Sequence, residues 1–173
     1  MIFLHSYPHI QQHSIPILHR YFWNPLPTIF YSLFLVMEKG IKTKLKEAKR
    51  LYQQYDFVSC HELLKEVLNV DRKNYNALVL NGACCDHLDL EDIGVDYFFD
   101  AIQLEPDNAL AWQGLFQLGT KNTDRYHASL VCVCMKLLQF YDSPECAEKK
   151  TTCGRILIEL LVRYRLEVSW LIE

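Results

Sequence analysis

Seven cysteines and seven histidines are the residues of this 173-residue chain best suited to chemistry. The cysteines are Cys60, Cys84, Cys85, Cys132, Cys134, Cys146 and Cys153. An odd count with adjacent and alternate pairs suits a disulfide framework poorly. No C-x-x-C is present to form a redox pair or a zinc knuckle. The pattern predicts free thiols that behave as small buried hydrophobes in a reducing compartment. A metal site on Cys84, Cys85 and His87 would need a distant fourth ligand, to which nothing in the sequence points. His5, His9 and His13 have helical metal-ligand spacing, but Pro8 between them works against a helix. His61 and His87 fall on expected helices without a matched partner for acid–base or nucleophilic work. The acids, such as Glu47, Asp89 and Glu105, read as helix-surface or cap residues. No catalytic, cofactor-binding or metal-binding residue is expected.

The composition limits the alternatives further. Half of the residues are hydrophobic, 23% are charged, and the formal charge is −3. That is enough for one globular core and excludes collagen-like, low-complexity and fully disordered chains. The mild acidity argues against a dedicated duplex-DNA or RNA binder. Only six glycines occur, and neither G-x-G-x-x-G nor the P-loop pattern is present, which rules out nucleotide binding by those two loops. No stretch approaches the ~18 uninterrupted apolar residues of a membrane-spanning helix.

The chain divides near residue 37. Residues 1–36 hold four of the six prolines, eight of the 22 aromatics, no acid, and Arg20 as their only fixed charge. The apolar run Ile29–Met37 resembles a short signal segment. It comes late, however, and lacks a basic start and a small-residue cleavage site. The expectation is a non-repeat extension over 1–36 that packs poorly and stands outside the fold, with Met37 as the natural start.

From residue 38 the chain repeats with a period of 34. At that offset Leu68 falls on Ile102, Val70 on Leu104, Asp71 on Glu105, Asn74 on Asn108 and Ala77 on Ala111. Cys60, Gly94 and Ala128 share a small-residue slot, Ala48 and Gly82 another, and Leu64 and Phe98 a bulky one. A 34-residue period with this alternation of small and large residues is the tetratricopeptide helix–turn–helix unit. The fold class expected is therefore all-α, an α-solenoid of tetratricopeptide repeats over about 41–74, 75–108 and 109–141, followed by a further helix over about 144–173. Each unit packs an A helix against a B helix. Helices are expected at about 40–54, 57–69, 75–87, 91–104, 109–121, 125–140 and 144–163. Packing should rest on Ala48, Cys60, Leu64, Leu78, Gly82, Gly94, Phe98, Ala101, Trp112, Leu115 and Ala128, with Pro106 stopping a B helix. Asn108 and Asp89 are expected N-caps, and Ser143–Pro144 a helix start. Phe116 and Gly119 depart from the pattern, where a small residue and a tyrosine are usual.

Residues 38–121 also resemble one family. Lys42-Thr43-Lys44-Leu45-Lys46-Glu47-Ala48-Lys49, then Asn74-Tyr75-Asn76-Ala77 and Gly82, then Leu104-Glu105-Pro106-Asp107 and Ala111-Trp112-Gln113-Gly114-Leu115, look like the start of the tetratricopeptide scaffold subunit of the superkiller complex. The resemblance implies a cytoplasmic platform, with the nucleus as an alternative site. Such a platform holds a superkiller RNA helicase and WD-repeat subunits and feeds RNA to the exosome for 3′-to-5′ decay. Those scaffolds are far longer, so the resemblance also implies an N-terminal fragment. The apolar residues of 156–173 fit a missing neighbour or a partner surface.

A solenoid presents the A helices on its concave face, where peptides bind. That face should carry Asn76, Val79, Leu80, Ala83 and His87 from the second unit, and Gln113, Gln117 and Lys121 from the third. The alternative function is a generic repeat adaptor or co-chaperone that binds peptide partners there. A carboxylate-clamping chaperone adaptor would need basic or amide donors where this chain has Leu45, Lys49, Leu80, Leu110 and Gly114, and only Lys49 can pair with an anion. Direct RNA contact through Lys39, Lys42, Lys44, Lys46, Lys49 and Arg50 is less favoured than a solvated outer face.

Overall fold

The computed structural model describes residues 28–164, with side chains from residue 32 onward. Expectations for the histidines at 5, 9 and 13 and for residues 165–173 lie outside the described residues. Seven α-helices follow one another among the described residues: α1 (Thr28–Gln53), α2 (Phe57–Val70), α3 (Tyr75–His87), α4 (Glu91–Leu104), α5 (Ala109–Lys121), α6 (Thr123–Phe140) and α7 (Ala147–Tyr164), the last preceded by a 3₁₀ turn, Pro144–Cys146. No strand occurs among the described residues. The chain divides into two units between Gly40 and Ile41.

Helix α1 begins at Thr28, well upstream of the expected start near residue 40. Loss of charge upstream of residue 37 marks the expected boundary of the repeat region. Charge, however, is not required for helicity: Phe30, Leu33, Leu35 and Met37 are ordinary helix residues. In this stretch Leu33, Phe34, Leu35, Val36 and Met37 are all exposed.

The repeat is written into the capping chemistry. Asn74 caps α3 by accepting from the Ala77 N–H at 3.1 Å, and Asn108 caps α5 by accepting from the Leu110 N–H at 3.2 Å. Each asparagine amide is braced by an acid three residues earlier: Asn74 donates to Asp71 at 2.9 Å, and Asn108 to Glu105 at 2.8 Å. The turns between helices A and B repeat as well. The Asp56 N–H reaches back to the Leu51 carbonyl, and the Leu90 N–H to the Cys85 carbonyl, which is the six-to-one bond of a Schellman ending. The residue that must turn left-handed is Tyr55 (φ 62°) in the first repeat and Asp89 (φ 56°) in the second. Asp89 is therefore not the N-cap expected of it. It is spent on the turn, and Leu90 holds the cap position of α4 without a side-chain bond. Ser143 likewise precedes its proline but makes no side-chain cap.

Packing follows the A–B alternation. Helices α2/α3, α3/α4, α4/α5, α5/α6 and α6/α7 touch in sequence, and the A helices α3 and α5 also pack directly. Residues about one period apart meet across repeats. Tyr126 donates to Asp92 at 3.2 Å, the Arg125 guanidinium pairs with Asp92 at 2.6 Å, and Lys121 pairs with the buried Asp86 at 2.7 Å. The exposed Arg125–Asp92 pair contributes ~0–1 kcal/mol, and the larger share of the stability comes from the core. Ala48, Cys60, Leu64, Leu78, Phe98, Ala101 and Leu115 are buried there. Trp112 is half-buried, and its indole N–H donates to the carbonyl of the exposed Pro106 at 2.9 Å.

Glycines mark the closest approaches. A Cβ on Gly82 would lie 2.9 Å from the Phe98 ring, and one on Gly94 would lie 2.9 Å from Leu118. Sequence reasoning missed Gly114, where a Cβ would come within 2.2 Å of the same Phe98 ring. The third repeat departs from the period. Ala128, expected in a shared small-residue slot, is exposed. Helix α6 starts at Thr123 after a one-residue link, and its buried face lies two positions further along: Leu130, Cys134 and Leu137 take the places of Gly94, Phe98 and Ala101. The size order reverses too. Leu130 now stands over Gly119, within 2.8 Å of where its Cβ would be.

A bulky residue held left-handed is strained by about 1 kcal/mol or more relative to glycine. Tyr55→Gly is expected to raise the urea midpoint, with a gain in stability of up to ~1 kcal/mol, and Asp89→Gly to gain less because aspartate tolerates that conformation. A fall in midpoint for Tyr55→Gly would contradict the turn assignment.

Candidate functional site

The cysteine and histidine chemistry gathers where α2 meets α3. Adjacent residues on a helix point about 100° apart, so Cys60–His61 and Cys84–Cys85 face each other as two separate pairs. The Cys84 thiol donates to Cys60 Sγ at 3.1 Å, and Cys60 donates to the Ala48 carbonyl at 3.2 Å. Beside them His61 Nδ1 lies 2.7 Å from Asn81 Oδ1 and 3.7 Å from Cys85 Sγ. The residue types match a cysteine–histidine–asparagine triad, but the geometry does not. One ring nitrogen faces both partners, so the nitrogen that binds the asparagine cannot also accept the thiol proton. Cys85 is fully buried, and burial pushes its thiol up from 9.0 to about 11. Cys84 is pushed up as well, first by its contact with Cys60 and then by burial. These are protonated packing groups. His87 is drawn away from Cys84 and Cys85: its ring stacks on Phe57 at 4.0 Å, and Nε2 lies 3.3 Å from the Tyr52 hydroxyl. Among the described residues no three His, Cys, Asp or Glu side chains converge as a metal site would require.

The inner face of the A helices offers a different surface. Of its expected residues, Gln113 and Gln117 on α5 line a cavity of about 540 Å³ together with Phe116 and Thr120. The opposite wall is Glu148, Lys149 and Thr152 of α7, and Tyr141 closes the end. The second-unit residues are elsewhere. Val79 and Ala83 pack against the main core and Leu80 against the first-repeat core, while Asn76 and His87 are exposed. The cause is that α3 is gripped by α2, α4 and α5 together, which buries eight of its 13 residues and leaves little free face. Lys121 is occupied by Asp86. The cavity opens one repeat further on because Phe116 stands where the second repeat has Gly82. Its ring keeps the next A helix at a distance that glycine would not.

Two of the basic residues of the first helix are paired with acids. On α1, Lys44 pairs with Glu66 at 2.8 Å, and Arg50 pairs with Glu47. No described helix is long and apolar enough to cross a membrane.

Repeated caps, repeated left-handed turns and interleaved A and B helices define the class: the chain is an α-solenoid built of tetratricopeptide repeats. Among curated proteins it is 32% identical over 119 residues to tetratricopeptide repeat protein 37 of Xenopus laevis, a match covering 68% of this chain and 8% of that protein. It is 32% identical over 120 residues to superkiller complex protein 3 of Homo sapiens, covering 69% of this chain and 8% of that protein. With superkiller protein 3 of Saccharomyces cerevisiae the identity is 33% over 87 residues, covering 45% and 6%. The chain thus spans about 8% of the length of the first curated relatives it matches. No family model matches. Among solved structures, the Yersinia enterocolitica type III secretion translocator chaperone SycD superposes with a TM-score of 0.65 at 12% identity, covering 75% of this chain and 88% of that one. SycD in complex with a peptide of the translocator YopD gives 0.64 at 12% identity, covering 73% and 95%. At such identity these two report the fold.

The buried Cys85 thiol binds its proton more tightly in the folded chain than in the unfolded one. Its contribution to stability is present below about pH 9 and is lost as the pH rises towards 11. Cys85→Ala is expected to flatten the loss of urea stability between pH 9 and 11. An unchanged slope would show that Cys85 ionises freely.

Proposed function

We propose that these repeats serve as a non-catalytic protein-interaction scaffold of the superkiller type, supporting exosome-mediated 3′-to-5′ cytoplasmic mRNA decay. The observation that carries the reading is the 32% identity to superkiller complex protein 3 over 120 residues, within a repeat fold that reaches its partners through surfaces rather than through an active centre. On this reading the partners are a superkiller RNA helicase and a WD-repeat subunit, with the exosome reached indirectly, in the cytoplasm. The absence of a competent cysteine–histidine pair and the local pairing of Lys44 and Arg50 favour it over catalysis and over direct RNA contact.

A second reading, a peptide-binding repeat adaptor, draws on the cavity between α5 and α7 and on the likeness to a chaperone solved with a peptide. A carboxylate-clamping form of it is disfavoured by Leu45, Leu80, Leu110 and Gly114 at the clamp positions.

Affinity purification of the tagged full chain from cells, read by mass spectrometry, separates the two. Helicase and WD-repeat partners are expected at stoichiometric abundance. Recovery of heat-shock chaperones in their place would sink the scaffold reading.

A further inference from the structure

Two thiols at the α2–α3 junction are placed for chemistry that a scaffold role does not use. Cys60 belongs to the B helix of the first repeat and Cys84 to the A helix of the second, 24 residues on, and their sulfurs lie 3.1 Å apart. That separation in sequence is why no C-x-x-C marks them. A disulfide bond is about 2 Å long, so each sulfur has to move only about 0.5 Å to form one. Cys85 is turned away from the pair and lies 3.7 Å from His61 instead. Nor does packing require sulfur here. The 34-residue offset carries Cys60 to Gly94 and Cys84 to Leu118. These two meet at the α4–α5 junction, where a Cβ on the glycine would lie 2.9 Å from the leucine. A glycine and a leucine thus serve between the second and third repeats where two cysteines serve between the first and second.

We propose that Cys60 and Cys84 are an oxidative modification site, joined under a hydroperoxide into a disulfide that ties the first repeat to the second. Both thiols are fully buried. The oxidant therefore meets them when the α2–α3 junction opens locally, and the site answers sustained rather than brief exposure. Cys60 is the attacking sulfur. The hydrogen bond from Cys84 holds the Cys60 thiol below its ordinary value, which favours the thiolate. The Cys60 sulfur bonds to one peroxide oxygen and the O–O bond breaks. The second oxygen leaves as hydroxide and takes up the proton released by Cys60, giving water and a sulfenic acid. The Cys84 sulfur then attacks the Cys60 sulfur and the S–O bond breaks. The departing hydroxide leaves with the Cys84 proton as a second water. Two electrons pass from the sulfur pair to the peroxide, and a small thiol reverses the bond by exchange.

The test treats the purified full chain with hydrogen peroxide, digests it without reductant and reads the peptides by mass spectrometry. Cys132 is exposed, so its oxidation reports that the peroxide has acted. The expected product links the Cys60 and Cys84 peptides, is lighter than their sum by two hydrogens, and is released by dithiothreitol. Cys85→Ala should leave the link in place and Cys84→Ala should abolish it, with circular dichroism checking that both variants keep the fold. The oxidised chain should have a higher urea midpoint than the reduced chain, a difference that Cys84→Ala removes. Recovery of Cys60 and Cys84 as free thiols or as sulfinic acids once Cys132 is oxidised overturns the proposal, whatever the variants do. A link that survives Cys84→Ala overturns it as well, and a linked chain with an unshifted midpoint overturns the tie between repeats.

Discussion

The Phe98 ring occupies space that side chains at Gly82 and Gly114 would otherwise fill. It projects from the B helix of one repeat and is enclosed by the A helices of that repeat and the next. One residue therefore sets both the spacing within a repeat and the spacing between repeats. A buried phenylalanine contributes of order 2–3 kcal/mol by transfer alone, and more when its surroundings cannot collapse around its loss. Helices α3 and α5 can pack directly because neither carries a side chain where the ring lies.

Where that arrangement stops, the solenoid changes. Phe116 takes the place of Gly82 and Cys134 the place of Phe98, so the bulky group has moved from the B helix to the A helix. Leu130 over Gly119 reverses Gly94 under Cys85 in the same way. One bulky and one small residue still face each other at each point, so the core stays filled although the shapes are exchanged. The consequence on the inner face is an opening between α5 and α7, where the second repeat is closed. The opening on the inner face thus arises from a departure from the repeat.

Much of this architecture is legible in the sequence. The 34-residue offset pairs Asn74 with the expected cap Asn108 and, with the Ser143–Pro144 start, places six of the seven helices, because capping and periodicity are local. What escapes a one-dimensional reading is relational. Gly114 reads as an unremarkable small residue until the ring from α4 reaches it. Ala128 fits its slot by spacing alone, and the two-residue shift of the buried face of α6 leaves no mark in the 34-residue offset. Tyr55 hides a left-handed turn because the cue for one is glycine, and the start of α1 is hidden because loss of charge looks like loss of structure. At the inner face, spacing puts Gln113 and Gln117 on one helix, where they line the opening towards α7. It cannot reveal that α3 is gripped from three sides and has little surface to offer.

The central claim is that the Phe98 ring, lodged between two glycines, couples neighbouring repeats. Urea unfolding of Gly114→Ala, Phe98→Ala and the double variant tests it, with Gly154→Ala as control, since a Cβ there would meet nothing within 4 Å. In a helix interior alanine is favoured over glycine by about 1 kcal/mol, so the control should gain stability. Gly114→Ala should instead lose roughly 1–3 kcal/mol, and its loss should vanish once Phe98 is alanine. A gain at Gly114 like that at Gly154, unchanged by Phe98→Ala, would contradict the account.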